Sequence, residues 1–348
     1  MANNKLLCLM ILGWVILTAA CSEAPSRIDD HIGGREPTAS GPASTPAASG
    51  PYFGLEGGDT PQVLLPGFIS TTLYDLNGTS PPDGREFFFT AGGGETIVHT
   101  RLQTDGSWSA PEIAPFSGWY EEFDPLFSPD GERLYFSSRR PADNDTSENG
   151  VASNLWFVER AGDSWGEPRP VSLPIDTDRG NFYSSLTHDG DIYFNKNHPG
   201  YWSDIHRAVK TEEGYEIERL SDAVNYRGTD ADPFVSPDGD YLIFRSNRPG
   251  GVGRADLWIS FNVDGEWTEA QNLGAPINSP ATDYCPFVTF DGRFLIFTSE
   301  RFIETFHADT IGDFDDMLAK SRGWDNGRGN LYWVSTDFLD ELRPSAAR

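Results

Sequence analysis

Apolar positions in this chain come in short, aromatic-rich runs that Asp-Gly turns interrupt at regular intervals. The stretch DPFVSPDGDYLIFRSNRPGG, from Asp232 to Gly251, shows the unit. A short apolar strand leads into an Asp-Gly hairpin, whose need for a positive φ explains the glycine, and an aromatic strand leads out. Related copies are SPPDGREFFFTAG around Asp83, DPLFSPDGERLYFSSRRP around Asp130, SSLTHDGDIYFNK around Asp189 and CPFVTFDGRFLIFTSERF around Asp291. Successive turn aspartates are 47, 59, 49 and 53 residues apart, the spacing of a propeller blade.

Each unit reads as four strands. The third begins near Thr96, Asn154, Asp204, Asp256 and Asn330, and a second tight turn leads to the fourth through TDGSWSAPEI, AGDSWGEPRPV, EEGYEIERL and VDGEWTEAQNL. The fifth unit ends at NLYWVSTDFLDELRP without such a strand, whereas DTPQVLLPG near the N-terminus looks like a fourth strand lacking its blade. Residues 60–66 are therefore expected to complete the last blade and close the ring. The fold class is an all-β propeller of four-stranded blades, five by this count.

The repeated motifs, above all NLGAPINSPATDYCPFVTFDGRFLIFTSER, closely resemble the TolB-type, WD40-like propeller repeat of bacterial envelope proteins. The resemblance covers about residues 52 to 344. Propellers of that type often have six blades, so six remains open beside the count of five. It implies an envelope setting and a binding role and specifies no partner.

The N-terminal segment adds an address. MANNKLLCLMILGWVILTAAC carries one cation, Lys5, an apolar run from Leu6 to Leu17 and small residues before Cys21. That is an export signal over residues 1–20, too short to span a membrane stably. Its LTAAC end resembles the lipobox of bacterial lipoproteins, which makes Cys21 the lipidated residue; Thr18 stands where Leu, Val or Ile is usual, and an ordinary secretory signal is the alternative. In such lipoproteins Ser22 after the cysteine implies sorting to the outer membrane. Residues 21–50, rich in Pro, Ala, Ser, Thr and Gly, read as a tether, and residues 51–348 as one propeller domain. The expected location is the cell envelope, as an outer-membrane lipoprotein facing the periplasm, with a secreted or soluble periplasmic protein as the alternative. Cys8 would leave with the signal and Cys21 would carry lipid, leaving Cys285 alone as a buried structural thiol.

A formal net charge of -27 disfavours nucleic acid and anionic lipid headgroups as partners. Membrane contact is expected through the lipid anchor alone. No G-x-S-x-G elbow, H-E-x-x-H motif, phosphate loop or paired-cysteine site occurs, and no cofactor is expected.

Propeller geometry sorts the loops. If strand one of each blade enters at the top, both tight turns lie at the bottom, and the long insertions from Pro141 and Phe302 lie on top. Long loops on one face of a rigid scaffold mark that face for binding. Eight residues before each turn aspartate stand Asp75, Glu122, Asn181, Asp230 and Asp283, opening the five inner strands at the channel mouth. Arg139, Arg248 and Arg301 follow strand two on the same face. This ring either pairs internally to satisfy strand ends or forms a ligand site, with a divalent cation as one occupant.

In the third unit, NHPGYWSD offers His198, Tyr201 and Trp202 on a top loop, to stack on a sugar or peptide or to pack. Trp324, Asp325 and Asn326 admit the same two readings. His99 and His206 read as packing residues, and DNDTSENG as a solvated acidic loop.

Two functions remain. One is a noncatalytic, membrane-tethered propeller binding an envelope protein, peptide or glycan on its top face. The alternative is a carbohydrate-active hydrolase in which two of Asp75, Glu122, Asp230 and Asp283 act as acid and base, which needs a pair about 5–10 Å apart in unequal environments.

Overall fold

Sequences in which aromatic and β-branched residues fill both strand faces form strands only when both faces are covered. In this protein they are covered by neighbouring blades. Strands Glu86–Ala91 and Phe294–Ser299 are buried at every position. The computed structural model describes residues 48–345 apart from 93–94, 142–151, 175–179, 199, 201, 302–311 and 325. The expected signal peptide, Cys21, most of the tether, DNDTSENG, Tyr201 and Asp325 lie outside the described residues.

Five antiparallel sheets radiate as the blades of a propeller, which fixes the count at five. The first blade runs outward through Asp75–Thr79, Glu86–Ala91, Thr96–Arg101 and Glu112–Ile113. The second uses Glu122–Phe127, Arg133–Ser138, Asn154–Ala161 and Arg169–Pro170, with Ser164–Trp165 paired beside the last. The third is Asn181–Leu186, Ile192–His198, Trp202–Thr211 and Gly214–Arg219. The fourth is Asp230–Val235, Tyr241–Ser246, Asp256–Val263 and Gln271–Asn272, with Glu266–Trp267 at its turn.

The fifth blade holds Asp283–Val288, Phe294–Ser299 and Asn330–Ser335, and its outermost strand is Gln62–Val63 from the other end of the chain. Gln62 pairs with Trp333 and Val63 with Tyr332. Leu64, fully buried, follows with its N–H on the Leu331 carbonyl at 2.8 Å. The ring is closed as the sequence predicts. Ordered packing begins slightly earlier than position 51: Ser49 bridges Ser107, and the Trp108 indole donates to the Gly50 carbonyl at 3.1 Å.

The core lies between blades. Phe88 of the first blade meets Phe127 and Trp165 of the second edge to face, at 5.6 and 5.8 Å between ring centres. Burying each such ring contributes about 1.5–3 kcal/mol, so the blades are held face to face mainly by apolar area. The third unit differs from its sequence reading. Its second strand continues to His198 and its third begins at Trp202 rather than Asp204, because no Ser-x-Arg-Pro segment breaks the hairpin.

Removing side-chain volume at the closing strand tests the seam. Leu64→Ala is expected to lower unfolding stability by about 2–5 kcal/mol in urea titration. A loss under about 1 kcal/mol would mean that the N-terminal strand adds little to closure.

Candidate functional site

The top of each blade is set by what the first residue of its inner strand does. Asp75, Glu122, Asn181, Asp230 and Asp283 hold those five positions, and none is more than 1% exposed. A buried carboxylate requires compensation, and here it comes from one loop and one arginine. One oxygen accepts the N–H four residues earlier: Thr71 to Asp75 at 2.5 Å, Gly118 to Glu122 at 3.0 Å, Tyr226 to Asp230 at 2.5 Å and Ser279 to Asp283 at 2.6 Å. The other oxygen meets a guanidinium from the end of strand two. Arg140 reaches Glu122 at 3.2 Å, Arg248 reaches Asp230 at 2.7 Å and Arg301 reaches Asp283 at 2.9 Å. The same nitrogen of each arginine donates to the carbonyl six residues before its acid, on Phe116, Val224 and Ile277.

These pairs lie within a blade, and the adjoining loop links the blades. The residue five positions before the acid reaches strand three of the preceding blade. Asn225 accepts from the Ile205 N–H at 2.7 Å and donates to its carbonyl at 2.9 Å, and Asn278 does the same to Leu257 at 2.8 and 2.9 Å. Ser117 accepts from Ile97 at 3.0 Å, and Ser70 donates to Leu331 at 3.1 Å across the seam. Glu122, Asp230 and Asp283 are therefore structural staples, and they and Asp75 are closed to solvent.

One arginine expected in the ring is displaced by a residue. Arg139 forms a pair with Glu121 at 2.9 Å, both about half exposed, while Arg140 makes the staple. Aligning Ser138 with Ser246 and Ser299 shows why: the stapling arginine is always two residues past that serine.

Blades one and three depart from the pattern. The third has Asn181 in place of the acid, and neither polar atom of its side chain finds a partner among the described residues. The first keeps Asp75 without a stapling arginine, and one of its oxygens is unpartnered. Burial pushes Asp75 up to about 6, held back by the N–H and hydroxyl of Thr71.

The centre of the propeller holds a set of residues that the sequence reading missed. Two positions past each ring residue stand Asn77, Asp124, Tyr183, Asp232 and Cys285, all at φ between 45° and 54°. Each sits at a register shift in its inner strand, a bulge that redirects the side chain. Charge couples four of them, Asp124, Tyr183, Asp232 and Cys285. Burial raises Asp124 well above the usual carboxylate range, and Asp232 and Glu95 raise it further, with Arg245 and Asn77 opposing. Asp232 is also raised by burial but has Arg245 at 3.1 Å. The Cys285 thiol is pushed far up by burial and by both aspartates, which makes it inert, and the Tyr183 hydroxyl donates to the Pro286 carbonyl at 2.7 Å.

The remaining candidates take definite places. His198 and Trp202 are paired strand ends, not loop residues; their rings stack at 4.1 Å, and His198 lies 3.5 Å from Asp204. His99 is buried and stacked on Phe88, and His206 is buried beside Phe194. Trp324 is half-buried and its carbonyl accepts from Asn330 at 2.8 Å, while Asn326 donates to the Thr72 carbonyl at 3.0 Å. Among the described residues, no group of three or more His, Cys, Asp or Glu side chains is placed to hold a metal ion.

Among the described residues, the exposed large apolar side chains are on one side: Leu73, Trp119, Tyr120, Tyr226 and Val252 lie on top loops, Phe314 and Leu318 on the short helix Phe314–Lys320 between strands two and three of blade five, and Ile113 and Trp202 at the top ends of strands. Trp119 is 83% exposed and Phe314 66%. The guanidinium of Arg140 sits 5.1 Å from the Tyr120 ring and that of Arg248 5.9 Å from Tyr226, so the staples also support two of the displayed rings from below. A cleft of about 500 Å³ lies instead on the bottom, between blades two and three. Its lining is polar and partly self-satisfied, with Arg133 on Glu159 at 2.7 Å.

No family model matches the sequence, and no curated protein matches it. Among solved structures, the chain is similar to TolB from Acinetobacter baumannii, at 17% identity and a TM-score of 0.44, covering 76% of this chain and 54% of that one. It is similar to a thermostable family-43 glycoside hydrolase at 11% identity and a TM-score of 0.49, covering 76% and 89%. An endo-arabinase from Bacteroides thetaiotaomicron gives 14% identity and a TM-score of 0.44 over 68% and 92%. What the site can do therefore rests on its own residues.

Two measurements check this arrangement. Arg140→Met, which strands Glu122, is expected to cost about 3–5 kcal/mol of stability, whereas Arg139→Met changes it by less than about 0.5 kcal/mol. Asp75 has a folded pKa of about 6 against an ordinary 3.8, so the stability gained from its proton is complete below about 4 and lost as pH rises through about 6. The stability of Asp75→Asn relative to wild type should rise by about 2–3 kcal/mol across that window and stay level above it. A pH-independent difference would show that Asp75 does not titrate there.

Proposed function

We propose that this protein is an exported, noncatalytic β-propeller that binds an envelope protein, peptide or glycan on its top face. One observation carries the reading: among the described residues, the exposed large apolar side chains all fall on the top loops, on the short helix Phe314–Lys320 of the fifth unit's top insertion or at the top ends of strands. A soluble surface rarely gathers aromatic rings on one side without a partner for them. Trp119, Tyr120, Tyr226 and Trp202 present flat faces suited to stacking on a sugar ring or covering an apolar side chain. Three of the four candidate acids, Glu122, Asp230 and Asp283, are engaged by arginines, which favours binding over turnover. An envelope location, with Cys21 as the lipid anchor, follows from the N-terminal sequence; among the described residues no helix is long and apolar enough to cross a membrane.

The hydrolase reading keeps one specific support. Asp124 and Asp232 share the channel axis in unequal environments, one beside Arg245 and the other without a cation of its own. That inequality is what an acid and base pair needs. The pair would replace Asp75, Glu122, Asp230 and Asp283 in that role.

Both readings meet in one screen of the full chain against solubilised envelope glycans and a peptide array, scored for binding and for product release. Trp119→Ala should weaken binding by about 2 kcal/mol or more, while His188→Ala on a bottom turn leaves it unchanged. Binding that survives Trp119→Ala, Tyr226→Ala and Trp202→Ala together sinks the top-face reading. Turnover that disappears in Asp124→Asn with the fold intact establishes the hydrolase.

A further inference from the structure

The outer rim of a propeller is a set of sheet edges, and an unprotected edge can pair with another strand. Four of the five blades end in outer strands of two residues. Pro111 precedes Glu112–Ile113, Pro61 precedes Gln62–Val63, and Pro168 and Pro170 interrupt the rim of blade two. In blade four, Thr268 to Ala270 separate Glu266–Trp267 from Gln271–Asn272. Proline and short length are the usual protections.

Blade three has neither. Its outer strand, Gly214–Arg219, runs six residues in unbroken register, from Thr211 opposite Gly214 to His206 opposite Arg219. At about 3.3 Å per residue, that is an edge of roughly 20 Å. The Leu220 N–H donates to the Ile205 carbonyl at 3.1 Å, which fixes the phase of the ladder. Gly214, Glu216 and Glu218 turn their backbone groups inward, and Tyr215, Ile217 and Arg219 turn theirs outward. None of those outward groups is hydrogen-bonded among the described residues.

The two faces of this edge give the partner's chemistry. Tyr215 and Ile217 are half-buried and share a core cluster with the equally half-buried Phe157, Val171 and Leu173 of blade two, so apolar surface continues beside the free backbone. Acids dominate the exposed surroundings, with Glu212 and Glu213 at the turn, Glu216 and Glu218 on the strand and Asp222 beyond it, against one exposed lysine, Lys210, opposite Tyr215. The neighbouring arginines are already engaged, Arg207 with Asp191 and Glu218, and Arg219 with Asp204 and Asp222. A second copy of this edge would bring glutamates against glutamates, which opposes self-pairing.

We propose that the outer edge of blade three, Gly214–Arg219, takes an extended peptide of alternating cationic and apolar residues as an added strand. Backbone bonds to Tyr215, Ile217 and Arg219 hold it, and the glutamates select its charge. This site is separate from the top face and does not depend on it.

Amide hydrogen exchange on the full chain tests the proposal with an acetylated, amidated hexapeptide of alternating lysine and valine. At saturation, the amides of Tyr215, Ile217 and Arg219 should exchange at least about ten-fold more slowly, while those of Glu216 and Glu218 change little. A glutamate–valine peptide, and a lysine–valine peptide N-methylated on alternate residues, should give no such protection. The double change Glu216→Lys with Glu218→Lys should weaken the lysine–valine peptide about ten-fold without altering the thermal midpoint. Failure of the lysine–valine peptide to protect those three amides, or equal binding by its N-methylated form, overturns the proposal.

Discussion

A carboxylate with almost no solvent access at the head of an inner strand is the constraint around which the top of this propeller is organised. Left alone, such a group would raise its pKa or unfold its surroundings. Three blades answer with a guanidinium that bonds the acid and a loop carbonyl together, and in each of them the residue next to that loop reaches strand three of the blade before. One charge pair thereby fixes a loop, the loop fixes the neighbouring blade, and the blades can stand around an axis. Apolar packing supplies most of the stabilisation. The staples supply the angle.

The exceptions follow the same physics. Blade three has neither charge, with Asn181 in place of the acid and no arginine at the end of strand two, so what this position leaves unpartnered among the described residues is one neutral amide. Blade one lacks the arginine alone, and burial, opposed only by the N–H and hydroxyl of Thr71, raises Asp75. Paired losses are tolerated better than single ones because a buried lone charge costs more than an absent pair.

Much of this was legible in the sequence. The Asp-Gly spacing located all five blades, the missing fourth strand of the last unit predicted the pairing of Gln62–Val63 with Asn330–Ser335, and counting eight residues back from each turn found the ring positions. Arg139 was a slip of one residue in a run of two arginines, which the preceding serine resolves. The axial set was hidden for a deeper reason. Asn77, Asp124, Tyr183, Asp232 and Cys285 have no chemistry common to all five, and local propensity does not place tyrosine and cysteine at positive φ; the bulge is imposed by the blade and is visible only as a position. Exposure of Trp119 or Tyr226 was likewise beyond composition, because an aromatic residue in a loop reads the same whether its ring faces in or out.

The path of the chain past the first blade bears on how the ring is shut. Ser49 bridges Ser107, and the Tyr52 hydroxyl donates to the Pro82 carbonyl at 2.9 Å, both beside tight turns on the bottom. The entering chain therefore grips both sides of the seam, blade one through Ser49 and Tyr52 and blade five through Gln62 and Val63, so one short segment buckles the ring twice.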